Sequence, residues 1–223
     1  MPPADLTAAL DRLVPGARLQ VVMPEPPGRL RLWLLDPHGM ARPLTETETD
    51  AVWAAPPYWS FCWGAGKVLA AHLLAAPAQV AGRTVVDFGC GSGVVGIAAA
   101  LAGAARVICC DSDPLALHAA AANAALNGVA VALAASLDQV PGGIDLLCAA
   151  DVLYDPANLP LAERFLMLAD AVLVADSRVR HFAVPGYRAL ANGLGITEPD
   201  LGELDSVKQV RLYRGMGRGG VCC

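Results

Sequence analysis

Leucines at positions 6, 10 and 13 recur one helical turn apart, so residues 4–13 are expected to form a short amphipathic helix. Residues 18–22 and 29–35 alternate polar with apolar positions. The Pro24-Glu25-Pro26-Pro27-Gly28 turn between them predicts a small hairpin. Thr45-Glu46-Thr47-Glu48-Thr49-Asp50 follows, a polar stretch that reads as a solvated linker or a helix start before it reads as an acidic docking motif. From Pro56 the pattern changes to helix and strand in alternation. Helices are expected at 65–76, 94–101, 114–127, 157–168 and 185–193, the third opened by Asp113 as N-cap and Pro114 as first helical residue. Strands are expected at 83–87, 105–110, 129–134, 144–149, 171–175, 194–198 and 206–213.

This alternation predicts an α/β fold: a doubly wound, seven-stranded, mostly parallel sheet with helices on both faces. The two closing strands, with no helix between them, predict an antiparallel edge strand. Residues 1–55 form the helix and hairpin extension, 56–214 the main domain, and 215–223 a Gly-rich tail expected to be disordered.

Composition narrows the class. Apolar residues make up 55% of the 223 and charged residues 17%, enough for a large core. The net charge is −5 and no basic run occurs, which argues against nucleic acid as a partner. Met1-Pro2-Pro3-Ala4-Asp5 lacks the basic and apolar regions of a secretory signal, and no uninterrupted apolar run reaches membrane-spanning length. Seven cysteines are present: Cys62, Cys90, Cys109, Cys110, Cys148, Cys222 and Cys223. Their number is odd and no C-x-x-C pair occurs, so neither a disulfide framework nor a metal site is expected. A cytoplasmic monomer is the simplest setting.

The chemistry concentrates in Thr84-Val85-Val86-Asp87-Phe88-Gly89-Cys90-Gly91-Ser92-Gly93. An apolar strand runs into an acid and three alternating glycines, and a small-residue helix follows. Bare backbone of this kind admits a tight turn and a close ligand. The order is D-x-G-x-G-x-G, not the G-x-G-x-x-G of dinucleotide sites, and an acid before the first glycine would repel a pyrophosphate at the helix N-terminus. It suits a cofactor with a cationic amino-acid end, such as S-adenosyl-L-methionine. Asp87, Gly89, Gly91 and Gly93 are the expected loop contacts. Asp111 closes the next strand 22 residues after Gly89, about the offset at which a carboxylate meets ribose hydroxyls. Ser136 and Leu137 are expected near the adenine edge.

Asp151-Val152-Leu153-Tyr154 follows the fourth strand, Pro57-Tyr58-Trp59-Ser60-Phe61-Cys62-Trp63-Gly64-Ala65-Gly66 precedes the cofactor strand, and Asp176-Ser177-Arg178 follows the fifth. Together with the glycine loop these resemble the class I, seven-strand, Rossmann-like S-adenosylmethionine-dependent methyltransferases. Within them they resemble the D-x-x-Y lysine methyltransferase group that includes the electron-transfer flavoprotein β-subunit enzyme. The resemblance spans about residues 56–213; Gly64 and Ser177 stand where that group has prolines. It implies methyl transfer to a protein lysine, with the flavoprotein β subunit or a similar protein as partner. Asp151 and Tyr154 would be the catalytic and acceptor-binding residues, Trp63 a wall of the acceptor channel, and Trp59 a residue closing over the cofactor. The residues alone leave other roles open. Trp59 and Trp63, four apart, are also spaced to bury both rings in the core, Tyr154 could be a core residue, and Asp151 a turn cap. Bacterial relatives labelled nicotinamide N-methyltransferase-like imply a small-molecule amine instead, and a non-catalytic cofactor-binding protein is the third reading.

Overall fold

The computed structural model describes residues 1–39, 42–179 and 182–217. Helix α1 (Ala4–Leu13) leads into the hairpin of β1 (Leu19–Val22) and β2 (Leu32–Leu35), followed by α2 (Glu46–Ala54) and α3 (Gly64–Ala75). The sheet and its helices are then laid down in order: β3 (Thr84–Phe88), α4 (Val94–Leu101), β4 (Arg106–Cys110), α5 (Pro114–Leu126), β5 (Ala132–Ala134), β6 (Ile144–Ala150), α6 (Leu159–Leu168) and β7 (Ala169–Asp176). Strand β8 (Tyr187–Leu194), α7 (Asp205–Lys208) and β9 (Gln209–Met216) close the chain.

The seven strands run in the order β5-β4-β3-β6-β7-β9-β8. The first five are parallel, and β9 lies antiparallel between β7 and β8. The chain winds outward one way from β3 and the other way from β6. The crevice past the carboxyl ends of these two neighbours is the switch point where such sheets bind ligands. Alternation along each strand divides the core. Val85 faces one face with Leu69, Leu73 and Ile97 of α3 and α4, whereas Val86 faces the other with Phe165 of α6.

Three expectations change. Residues 187–194 form the strand β8, not a helix: Asn192 and Gly193 are poor helix formers, and pairing with β9 along the whole element, across a bulge at Ala189 to Ala191, satisfies a backbone edge that local propensity does not see. Of the strand expected at 194–198, only Leu194 lies in the sheet, as the end of β8; residues 195–197 are in no strand and Glu198 alone bridges to Cys62. The closing strand extends through Gly215 and Met216, past the expected domain end at 214; residues 218–223, with Cys222 and Cys223, lie outside the described residues, as does His181. The polar stretch after Pro43 resolves as the start of α2, with a capping box between Thr45 and Glu48.

Residues 1–35 pack onto the main domain through two clusters. Leu30, Leu32 and Leu34 pack with α3 and α4 residues, and Leu6 and Leu10 pack with Ala116 and Ala119 of α5. Asn123, buried in α5, ties the hairpin to the glycine loop: its Oδ1 accepts from Trp33 N–H at 2.7 Å and its Nδ2 donates to Ser92 O at 2.9 Å. Asn123→Ala should leave both backbone groups without partners and cost about 1–3 kcal/mol. Urea unfolding checks this; a loss below about 0.5 kcal/mol would show the latch to be dispensable.

Candidate cofactor and acceptor site

Past the ends of β3, β4 and β6 lies a cavity of about 840 Å³. Its floor is the glycine loop, where Gly89, Gly91 and Gly93 have φ of 66°, 50° and 80°. The reasons for glycine differ. A Cβ at Gly89 would run into the Val152 side chain, and one at Gly93, the N-cap of α4, would lie 2.9 Å from Ala120 Cα. At Gly91, which lines the cavity, a Cβ would meet no protein atom within 4 Å, and the left-handed φ alone favours glycine. The N–H groups of Gly89 and Cys90 donate to Cys110 O at 2.8 and 3.3 Å, and that of Gly91 donates to Asp111 Oδ2 at 3.0 Å. These amides point inward and offer no nest for a phosphate, which suits an adenosyl ligand better than a dinucleotide.

Asp111 also accepts from Asp113 N–H through Oδ1 at 3.0 Å. Each oxygen thus keeps acceptor capacity, and Asp111 lines the cavity. Burial raises its pKa from the ordinary carboxylate value. Beside it Phe88, Ser136, Leu137 and Leu161 make a mainly apolar slot for a flat base, with Phe88 held edge-on by Phe165 at 5.1 Å between centroids. The dimensions, the bare backbone at Gly91 and the acid beside it fit S-adenosylmethionine.

Asp87 and Gly93 are not brought into this lining. Asp87 points to the opposite face of β3 from Phe88, where its Oδ2 accepts from Gly96 N–H at 2.8 Å. It satisfies a free amide in the first turn of α4, a structural role in place of the expected contact with a cationic ligand end. Burial pushes its carboxyl up to about 8.

The acceptor side gathers around Asp151, which is the only described non-glycine residue with positive φ, at 50°. Its Oδ1 accepts from the N–H and hydroxyl of Ser177 at 3.1 and 2.8 Å, and its Oδ2 accepts from Ala65 N–H at 3.3 Å. Of about four lone-pair positions on a carboxylate, one on Oδ2 is left for a ligand. Burial, and after it the charge of Asp176, raises the Asp151 pKa. Tyr154 is half exposed at the mouth, and burial of its ring raises its pKa.

The two tryptophans separate. Trp59, 1% exposed, packs with Leu6, Leu10 and Ala119 and also lines the cavity. Trp63 stands at the N-terminus of α3, its Nε1 donating to Tyr58 O at 3.1 Å. Four further residues complete the mouth: Trp53, Tyr58, Arg178 and Glu203. The Arg178 guanidinium lies 5.8 Å from the Trp63 ring and 6.0 Å from that of Tyr154, and donates to Glu203 Oε1 at 2.9 Å. Tyr58 and Arg178 were within motifs visible in the sequence. Trp53 and Glu203 were in none, and the Cys62–Glu198 bridge anchors the segment that carries Glu203.

Two outcomes follow from this geometry. Asp111→Ala should weaken S-adenosylhomocysteine binding by about 1–3 kcal/mol, through lost charge-assisted hydrogen bonds and a loosened Gly91; unchanged affinity by calorimetry would remove Asp111 from the ribose site. Because the Asp87 pKa is raised, the native protein keeps a proton that the unfolded chain releases, so this residue makes stability fall as pH rises from about 4 to about 8. Asp87→Asn keeps an oxygen acceptor and removes that dependence. Denaturant unfolding at pH 5 and pH 8 should show a smaller drop in the variant; an equal drop would contradict the assignment.

The ribosomal protein L11 methyltransferase (PrmA) family model matches residues 70–173. The electron-transfer flavoprotein β-subunit lysine methyltransferase of Danio rerio is 42% identical over 116 residues, covering 50% of this chain and 45% of its own. The ribosomal protein L11 methyltransferase of Erwinia tasmaniensis is 40% identical over 133 residues, covering 59% and 43%. The chain thus spans less than half the length of these relatives. A crystal structure of the ribosomal protein L11 methylase of Lactobacillus delbrueckii subsp. bulgaricus superposes with a TM-score of 0.51 at 25% identity, covering 67% of this chain and 78% of that one. With the seven-strand order and the glycine loop, these likenesses show the fold of the class I S-adenosylmethionine-dependent methyltransferases and a core similar in sequence to theirs.

Proposed function

We propose that the protein is a protein-lysine N-methyltransferase whose acceptor is the electron-transfer flavoprotein β subunit or a protein like it. The observation that carries this reading is Asp151: one corner of backbone sets Val152 under the cofactor loop, Tyr154 at the mouth, and a carboxylate with one open acceptor position between them. The similarity to flavoprotein β-subunit enzymes supports the target. The match to the L11 methyltransferase model ends at residue 173, before Arg178 and Glu203, and so says little of the acceptor. Among the described residues none before Trp53 lines the cavity. A lid made by the N-terminal segment, expected for a small-molecule amine, is therefore not supported.

Bound S-adenosylmethionine supplies an electrophilic methyl group on sulfur. The chain supplies alignment and a dry channel. Asp111 and the slot of Phe88 and Leu137 hold the adenosyl part. Oδ2 of Asp151 accepts an N–H of the acceptor amine and so aims the nitrogen lone pair. The rings of Tyr58, Trp63 and Tyr154 displace water, which lowers the pKa of an entering ammonium and favours the neutral nucleophile.

Radiolabelled S-adenosylmethionine should label lysines of recombinant electron-transfer flavoprotein β subunit and leave nicotinamide unlabelled. Asp151→Ala should lower kcat/KM about 100-fold or more while S-adenosylhomocysteine affinity stays near wild type. Label on nicotinamide alone would overturn the protein reading, and near wild-type activity in the variant would overturn the role of Asp151. In the wild type kcat/KM should rise with pH over the neutral range as the acceptor amine loses its proton.

A further inference from the structure

Helix α2 buries none of its nine residues; Glu48, Thr49 and Val52 are half-buried and the others exposed. A short helix without an apolar face packed on the fold is marginal by itself. It is held instead at its start. Thr45 Oγ1 accepts from Glu48 N–H at 3.3 Å, Thr45 N–H donates to the Glu48 carboxylate at 2.8 Å, and the same carboxylate takes both prongs of Arg42 at 2.7 and 2.8 Å. The helix therefore has a defined position, with Val52 alone of its residues packed against the buried cluster of Leu6, Leu10 and Trp59. Its single large apolar residue, Trp53, is 77% exposed and lines the cavity mouth.

Trp53 continues an exposed apolar rim made by Tyr58, Tyr154 and Leu201. The rim is contiguous with the cavity that holds Asp151, so whatever presents an amine to Asp151 passes over it. On α2, Glu46 and Asp50 lie one turn apart, and among the described residues neither takes part in an ion pair. Like charges at this spacing oppose each other in the free helix. The acidic stretch alone reads as a solvated segment; the exposed ring at the cavity mouth changes that.

We propose that α2 is the docking element for the acceptor protein, with Trp53 packing on the segment that bears the target lysine and with Glu46 and Asp50 pairing with basic side chains beside it. This rests on the lysine methyltransferase reading and adds a partner chemistry to it: a basic, lysine-bearing protein segment. Neutral partners gain nothing from the two acids, whereas a basic one relieves their repulsion.

The test uses the full chain with recombinant electron-transfer flavoprotein β subunit and, separately, a fluorescein-labelled Lys-Gly repeat peptide. Trp53→Ala and the Glu46→Gln/Asp50→Asn pair should each lower kcat/KM on the β subunit about tenfold, the loss expected on truncating a contact at an interface. S-adenosylhomocysteine affinity, read by calorimetry, should be unchanged in both, and Trp53→Phe should recover most of the loss. Added sodium chloride should weaken the wild type more than the charge-neutral pair. Activities within twofold of wild type in both variants would overturn the proposal. If the wild type does not label the β subunit, that acceptor assignment fails by itself. Docking is then decided by anisotropy of the peptide: binding by wild type that Trp53→Ala loses upholds it, and equal binding, or none by wild type, overturns it. Sedimentation showing a wild-type dimer that Trp53→Ala dissolves would also overturn it, because a second copy would be the occupant.

Discussion

At the carboxyl end of β6 the backbone turns through a left-handed conformation at Asp151, a residue with a Cβ. Such a turn costs on the order of 1–3 kcal/mol and persists only where its surroundings fix it. Here the Asp151 N–H donates to Ala175 O at 2.9 Å, while the carboxylate takes three donors from Ser177 and Ala65. The corner is thereby tied to the end of β7 and to the start of α3. Glycine would make the turn without strain but bring no carboxylate. The strain is thus the consequence of needing a sharp turn and an acid at one position, at the switch point of the sheet.

The rest of the site hangs on that corner. Val152, the next residue, occupies the space a side chain at Gly89 would need, so the acceptor corner and the cofactor loop define each other's positions. On the far side of the loop, Asn123 of α5 bonds both Ser92 and the hairpin, and Trp59 is wedged between α1, α5 and the cavity. The N-terminal segment therefore acts as the outer support of the cofactor floor. Helix α2, which follows that support in the chain, buries no residue fully and touches the core through Val52 alone.

The cofactor half was legible in the sequence because its signals are local. A strand, three alternating glycines and a helix lie within eighteen residues, and Asp111 ends the very next strand. Asp87 shows the limit of that reading: its position beside the glycines suggests a ligand contact, yet the two-residue period of β3 gives the cavity to Phe88 and turns Asp87 into α4. The acceptor half is assembled from segments near residues 53–63, 151–154, 176–178 and 201–203. Motifs revealed three of these, while Leu201 and Glu203 arrive through the pairing of Glu198 with Cys62, which has no local signature. The misread at 187–194 has the same origin, since the pairing that makes β8 a strand lies beyond residue 208.

A crystal structure with S-adenosylhomocysteine would decide whether the Asp151 corner stands between cofactor and acceptor. Ribose hydroxyls should lie within hydrogen-bond reach of Asp111, the sulfur should open toward Asp151 Oδ2 and Tyr154, and Asp151 should remain at positive φ. A ligand whose sulfur faces away from Asp151, or a corner relaxed to negative φ with the carboxylate turned from the cavity, would contradict it.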